Sequence, residues 1–270
     1  MDVVTAQDPL VVAGVELPSR LFLGTGKYRT DEEMLTALEL AQPSLVTVAL
    51  RRIDLDQPGQ RTLLDVIDWA RYRVLPNTAG CTTGEEAIRI ARLARSMGLS
   101  DWVKLEVIPD PRYLLPDPIE TLRAAETLLA DGFTVLPYIN ADPILARRLQ
   151  ELGCSTVMPL GSPIGSGQGI VTRRQIELIV EQATVPVVVD AGIGSASDAA
   201  LAMELGADAV LVNSAVALAD RPALMAEAIR GGVEAGRKSY LAGRISSRAY
   251  ASASSPLEGV SRPSVRSDAG

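Results

Sequence analysis

The chain has 270 residues, 47% of them hydrophobic and 22% charged, so it can bury the core of one large α/β domain or of two small ones. Its net charge of −7 argues against nucleic acid and anionic membranes as partners. It has no histidine, which excludes Ser-His-Asp and Cys-His nucleophiles and histidine metal sites, and leaves acid–base chemistry to carboxylates, lysine, tyrosine or cysteine.

The first predicted element is a small hairpin at residues 10–17 that turns at Ala13-Gly14. Eight short strands rich in β-branched residues follow, with centres about 22 to 31 residues apart, the length of one βα unit. They are predicted at Leu21–Gly24, Leu45–Leu50, Arg73–Pro76, Val103–Ile108, Thr134–Ile139, Thr156–Leu160, Pro186–Asp190 and Ala209–Asn213. Helical patterns separate them. The first begins at residue 30, and the others lie at residues 83–97, 118–130, 143–152, 173–182, 197–205 and 221–235.

Most of these strands are apolar along their whole length, which fits a parallel sheet buried on both faces. Eight βα units predict an α/β protein with a (β/α)₈ TIM barrel, and a doubly wound open sheet is the less favoured alternative. We expect the hairpin to cap the bottom of the barrel and residues 1–243 to form a single domain. The Ser-rich residues 244–270 are predicted to be a mobile tail.

The N-terminus, the longest apolar stretch and the two cysteines indicate where in the cell the protein is located. Residues 1–8 lack the basic and apolar regions of a signal peptide, and the apolar stretch at residues 209–219 is too short to span a bilayer. Cys81 and Cys154 have neither the spacing of a zinc site nor that of a disulfide framework. We therefore expect a cytoplasmic protein without a membrane contact.

The fourth predicted strand carries charges within an apolar run. Lys104 and Glu106 alternate with Val103 and Leu105, so the two charged side chains point to the same side of the strand. Burying them costs several kcal/mol or shifts a pKa unless they are paired or used. One interpretation is a structural ion pair, and the other is an amine nucleophile that forms a Schiff base with a carbonyl carbon.

Barrel active sites lie at the C-terminal ends of the strands. Loops follow the sixth, seventh and eighth strands at residues 159–169, 190–195 and 213–215, and the first two of these loops are rich in glycine. Such backbone N–H groups can bind phosphate, so we predict a phosphate site there. Asp190 ends the seventh strand, either as a helix cap or as an acid–base group facing Lys104. Lys27 follows the first strand and is interpreted as solvated, or as a contact to ligand or partner.

Six segments of the chain together resemble thiazole synthase of bacterial thiamine biosynthesis. The resemblance runs in order from about Val11 to Val260, and the final ten residues extend beyond the usual end of the family. The segments that carry it are Gly24–Tyr28, Pro76–Cys81, Val103–Val107, Met158–Gly167, Asp190–Gly194 and Ala251–Leu257.

The resemblance implies a sulfur-transferring synthase that makes the thiazole phosphate carboxylate precursor of thiamine. Its substrates would be 1-deoxy-D-xylulose 5-phosphate, dehydroglycine and the sulfur of a thiocarboxylated sulfur-carrier protein. It implies a homotetramer with no metal in this subunit, and we expect no cofactor because the sequence contains no cofactor or cluster motif. The loops with Lys27, Arg51 and Arg52 could then meet an acidic carrier electrostatically.

The resemblance also implies roles for single residues. Lys104 matches the lysine that forms a Schiff base with the sugar ketone, and Glu106 and Asp190 match acid–base carboxylates. Ser214 stands where the family often has threonine and is carried over as a backbone contact. The positions that match sugar-phosphate contacts are Gly165, Ala191, Gly192, Asn213 and Ser214.

Two alternatives stay open beside this interpretation. One is a class I aldolase-like phosphosugar lyase, which forms a lysine imine but uses no sulfur. The other is a noncatalytic phosphate-ligand-binding barrel. The sequence also leaves open whether burial or the neighbouring carboxylate dominates the pKa of Lys104.

Overall fold

The computed structural model describes residues 8–50 and 62–254 of the chain. An eight-stranded parallel sheet forms its centre. Its strands are β3 (Leu21–Gly24), β4 (Leu45–Ala49), β5 (Arg73–Asn77), β6 (Trp102–Leu105), β7 (Thr134–Ile139), β8 (Met158–Pro159), β9 (Val188–Asp190) and β10 (Ala209–Val212). They lie in the order β8-β7-β6-β5-β4-β3-β10-β9, and the parallel bridges Val157–Val187 and Leu160–Asp190 join β8 to β9 and close the cylinder.

Helices surround this sheet and alternate with its strands, so the predicted (β/α)₈ barrel is confirmed. Asp117 and Asp142 cap the starts of two of them with their carboxylates, and a proline at the first helical position follows each cap. The helices are α1 (Asp31–Ala41), α2 (Leu63–Val66), α3 (Gly84–Ser96), α4 (Pro118–Ala130), α5 (Pro143–Leu152), α6 (Arg173–Gln182), α7 (Ala196–Glu204), α8 (Ser214–Ala217) and α9 (Pro222–Ala242). None of the helices within the described segments is long and apolar enough to cross a membrane.

The predicted hairpin is present as β1 (Leu10–Val12) and β2 (Val15–Leu17), which pair in antiparallel fashion. Both turn residues, Ala13 and Gly14, have positive φ, at 49° and 76°, the backbone geometry of a tight hairpin turn. The inward side chains of the hairpin pack in one buried cluster with Phe22, Leu45 and other residues of the barrel interior. The hairpin therefore closes the bottom of the barrel.

Side-chain alternation along the strands separates two packing layers. Val103 and Leu105 of β6 point outward and pack with helix residues such as Ala87 and Ala124. Trp102 points inward and belongs to the apolar layer at the barrel bottom. Because the side chains of a strand alternate, Lys104 continues the inward face above Trp102. This register positions the lysine in the lumen.

The fourth and sixth strands are shorter than predicted. The prediction of a strand over Val103–Ile108 was wrong at its end, since β6 stops at Leu105. At Glu106 the backbone N–H and carbonyl oxygen hydrogen-bond the Thr78 hydroxyl instead of the backbone of a neighbouring strand. The predicted sixth strand, Thr156–Leu160, is reduced to Met158–Pro159 with single bridges on either side. Pro159 has no N–H to donate to a ladder, which limits regular pairing there.

The last helix is longer than predicted and extends to Ala242 rather than ending near residue 235. Its glycines lower helix propensity, but a Cβ at Gly232 or Gly236 would collide with the backbone of Ala196 or Ala200 in α7. Close packing on α7 therefore outweighs propensity.

Residues 244–254 are exposed and form neither helix nor strand, and the rest of the predicted tail lies outside the described residues, so the domain boundary stays a prediction.

Candidate active site

A cavity of about 1020 Å³ opens at the C-terminal ends of the barrel strands. Lys104 reaches into it from β6, with its Nζ 3.0 Å from Glu106 Oε1 and 2.6 Å from Asp190 Oδ2. The exposed fractions of these three side chains are 6%, 6% and 5%, respectively. The structure thus brings together the three residues predicted for chemistry.

This triad has two carboxylates for one ammonium group, so in its fully ionised state it carries one buried negative charge. Burial lowers the pKa of Lys104, but attraction and hydrogen bonding from Asp190 and Glu106 outweigh burial, and the pKa of Lys104 lies above its ordinary value. Burial raises the pKa of Asp190 despite the opposing effect of Lys104. Asp190 is therefore better suited to hold and release a proton than an exposed aspartate is.

Thr78 holds the backbone of Glu106, a role that the sequence did not reveal. Its hydroxyl donates to the Glu106 carbonyl oxygen at 2.7 Å and accepts from the Glu106 N–H at 2.7 Å. The Thr78 N–H donates to the Lys104 carbonyl oxygen at 3.2 Å. Thr78 is buried and directly follows β5, and a position just after a barrel strand is the signal that could have identified it.

Tyr138 forms part of the wall beside Lys104. Its ring centroid lies 5.5 Å from Lys104 Nζ, and its hydroxyl donates to the Leu114 carbonyl oxygen at 3.4 Å. Burial, and then the charges of Asp190 and Glu106, raise the pKa of Tyr138, so it keeps its proton at neutral pH. Its inward position on β7 could have been read from the strand alternation, because Leu136 two residues earlier faces the same lumen.

The residues predicted to contact phosphate also line the cavity, but their backbone N–H groups differ in whether they already face an acceptor within the protein. Within the described part of the chain, the N–H groups of Gly165, Gly192 and Ser214 donate to no protein acceptor. The Ala191 N–H instead faces the Asp190 carboxylate and acts to lower the pKa of that carboxylate. Ala191 has a φ of 65°, a strained value for a residue with a Cβ that is typical of functional sites.

Two of the glycines are required for different reasons. Gly192 has a φ of 83°, and a Cβ there would collide with the backbone nitrogen and hydroxyl of Ser162. Gly165 has a φ of 72°, but its Cβ would meet only Lys27 Nζ and Ser214 Oγ, each at 3.5 Å. A substitution at Gly192 therefore disturbs loop packing, whereas one at Gly165 projects into the cavity itself.

The side chain of Asn213 contacts the loop that follows β3. One end of its side-chain amide lies 3.2 Å from the Gly24 carbonyl oxygen and 3.0 Å from the Gly26 carbonyl oxygen. Because both neighbours are acceptors, the amide nitrogen is assigned to this end, where it donates to both. The other predicted basic contacts, Arg51 and Arg52, lie outside the described residues.

Neither cysteine has the environment of a reactive thiol. Cys81 and Cys154 are buried, and burial raises the pKa of Cys154 to about 12. Over residues 8–50 and 62–254, no group of three Cys, Asp or Glu side chains is placed to hold a metal ion.

Known proteins resemble this chain over most of its length. The family model described as Thiazole biosynthesis protein ThiG matches residues 11–256. A thiazole synthase of Syntrophobacter fumaroxidans is 62% identical over 254 residues, 94% of this chain and 99% of the relative. One of Trichodesmium erythraeum is 56% identical over 261 residues, 94% of each chain. A chain in the solved structure of the Amycolatopsis orientalis BexX/CysO complex is 34% identical with a TM-score of 0.81, covering 90% of this chain and all of that one. The chain therefore belongs to the ThiG family of thiazole biosynthesis proteins.

Proposed function

We propose that this chain catalyses the thiazole synthase reaction with 1-deoxy-D-xylulose 5-phosphate, dehydroglycine and the sulfur of a thiocarboxylated carrier protein. The product is the thiazole phosphate carboxylate precursor of thiamine. The observation that carries the proposal is the Lys104 amine, held between Glu106 and Asp190 in a cavity whose other side presents backbone N–H groups that have no acceptor within residues 8–50 and 62–254. That arrangement supplies an amine for a ketone and donors for a phosphate.

Imine formation begins when the Lys104 ammonium gives up a proton. Its raised pKa makes a nearby acceptor necessary, and Asp190 and Glu106 are both within 3.0 Å of the nitrogen. The free amine adds to the sugar ketone, the carboxylate returns its proton to the departing hydroxyl group, and loss of one water leaves a protonated imine. This imine withdraws electrons from the adjacent carbon, so a C–H proton there can pass to a carboxylate.

The two carboxylates give the site separate proton acceptors beside the same nitrogen. Asp190 extends from β9 and Glu106 follows β6, so they approach Lys104 from different strands. Loss of the C–H proton beside the imine gives an enaminol. Loss of its hydroxyl proton and return of a proton to the former imine carbon then move the carbonyl to the neighbouring carbon of the sugar.

The phosphate contacts fix the substrate relative to the amine. We propose that Gly165, Gly192, Asn213 and Ser214 surround the sugar phosphate, with Ala191 shaping the loop through its contact to Asp190. A phosphate held at one side of the cavity places the ketone near Lys104 and raises its effective concentration.

Sulfur has to come from outside the chain, because the two cysteines are buried and Cys154 is not ionised near neutral pH. The BexX/CysO complex supports a carrier partner, since one of its chains shares this fold and 34% identity. We propose that the carrier's extended C-terminus enters the open mouth of the barrel, and that binding weakens with salt because opposite charges meet. A homotetramer remains part of the proposal on the family resemblance.

The test is product formation in a mixture of purified protein, sugar phosphate, dehydroglycine and thiocarboxylated carrier. Mass spectrometry should find the thiazole phosphate carboxylate only when all components are present. Equal product from free sulfide without carrier would contradict the carrier dependence. Cleavage of the sugar phosphate without any sulfur source would favour the aldolase-like lyase, and the absence of a reducible adduct would favour a noncatalytic barrel.

A further inference from the structure

The segment that follows β3 holds Lys27 in an unusual backbone conformation. Lys27 has a φ of 73°, within the left-handed region that a side chain with a Cβ rarely adopts. Such a conformation costs about 1–3 kcal/mol and persists only where surrounding contacts enforce it. The strain therefore indicates that the backbone of this segment is held by its neighbours.

Contacts from two other strands hold this segment. The side-chain amide of Asn213 donates to the carbonyl oxygens of Gly24 and Gly26, at 3.2 and 3.0 Å. The Thr25 hydroxyl donates to the Thr47 carbonyl oxygen at 2.8 Å. A Cβ at Gly24 would overlap the Asn213 side chain, so glycine is required for the two loops to approach.

The amine of Lys27 lies over the predicted phosphate loops. Its Nζ is 3.4 Å from Ser214 Oγ and 3.5 Å from the position of a Cβ on Gly165. In the described segments no carboxylate lies within ion-pair distance of this amine, whereas neighbouring Arg29 pairs with Glu33 at 2.9 Å. The Asp198 carboxylate of the same loop region is already engaged by the Gly194 and Ser195 N–H groups.

We propose that Lys27 supplies the positive charge that binds the phosphate monoester of the substrate. The inference rests on the proposed function, since it takes a phosphosugar as the ligand. Backbone N–H groups are neutral, and the triad at the other side of the cavity carries a net negative charge when ionised. A phosphate dianion entering this cavity therefore needs a cation, and Lys27 is placed to provide it.

The first measurement is binding of inorganic phosphate, which does not depend on any reaction. Lys27→Met should weaken phosphate binding by about tenfold, or about 1.4 kcal/mol, and Lys27→Arg should retain most of it. Arg29→Met removes an exposed charge two residues away and should bind phosphate as the unmodified chain does. Equal phosphate affinity in Lys27→Met and the unmodified chain would overturn the inference.

The second measurement compares borohydride trapping of 1-deoxy-D-xylulose 5-phosphate with that of the unphosphorylated sugar. Lys27→Met should need about tenfold more of the phosphorylated sugar for half-maximal trapping, with no change for the unphosphorylated one. An equal loss for both sugars would overturn the phosphate role. If the unmodified chain traps neither sugar, the proposed function fails, while the phosphate titration still decides the role of Lys27.

Folding of the variants is checked separately by thermal unfolding. Lys27 is exposed and its Nζ makes a single long contact, so Lys27→Met should unfold at the temperature of the unmodified chain. Lys27→Gln provides a second neutral variant and should reproduce the loss of phosphate affinity. Full affinity in a folded Lys27→Gln variant would also overturn the inference.

Discussion

Replacing Asp190 by asparagine separates the two effects that this carboxylate has on Lys104. The substitution keeps the size of the side chain but removes the negative charge 2.6 Å from the lysine nitrogen. Since Asp190 helps to keep the pKa of Lys104 above its ordinary value, Asp190→Asn must lower that pKa. The neutral amine then becomes more abundant at neutral pH.

The size of the effect follows from the burial of the pair. Both side chains are about 95% buried, so solvent screens their attraction little, and Glu106 at 3.0 Å is the remaining charged neighbour. Each unit of pKa corresponds to about 1.4 kcal/mol and a tenfold change in the neutral fraction. We expect at least about a tenfold rise in that fraction at a fixed pH below the midpoint.

The assay is the pH dependence of borohydride trapping at saturating sugar phosphate. The midpoint of the trapping profile should move to lower pH in Asp190→Asn, while turnover falls by roughly a hundredfold or more because a proton acceptor is lost. Glu181→Gln, which removes an exposed carboxylate on α6, should leave the midpoint unchanged. A midpoint that stays constant or moves to higher pH in Asp190→Asn would refute the electrostatic account.

Two further substitutions have matched controls within the chain. Gly165→Ala should weaken sugar-phosphate binding by about tenfold, because its Cβ enters the cavity, whereas Gly98→Ala has a similar positive φ in open space and should change only stability. Normal binding by Gly165→Ala would place the phosphate elsewhere. Thr78→Val should lower the free energy of unfolding by about 1–3 kcal/mol, because the buried backbone of Glu106 loses its partner. Thr121→Val replaces a buried hydroxyl that has no partner among the described atoms and should cost much less in urea denaturation; equal costs would contradict the role of Thr78.

The barrel itself could be predicted because its signals are local in sequence. Two features carried the prediction: apolar strands at βα spacing and the alternation that directs Lys104 inward. Strand ends were less accurate, since they depend on neighbours. The strand with Lys104 ends at Leu105 because the side chain of Thr78, which directly follows the adjacent strand, takes over the hydrogen bonds at Glu106.

The details of the phosphate side could not be predicted in the same way. The sequence suggested that Gly192 allows the backbone to approach a phosphate, but the structure shows a tight contact with Ser162, thirty residues away. Asn213 was expected near phosphate, and its side-chain contacts to the loop after β3 depend on β10 lying beside β3. Such contacts arise when the barrel closes and have no local pattern in the sequence.

The central claim, that Lys104 forms an imine with the sugar phosphate, is tested most directly by peptide mass spectrometry. The protein is incubated with 1-deoxy-D-xylulose 5-phosphate, reduced with borohydride and digested. We predict that the reduced sugar-phosphate mass lies on the peptide that contains Lys104 and disappears in Lys104→Ala. A label on Lys27 or Lys238 instead, or full synthase activity in Lys104→Ala, would contradict the account.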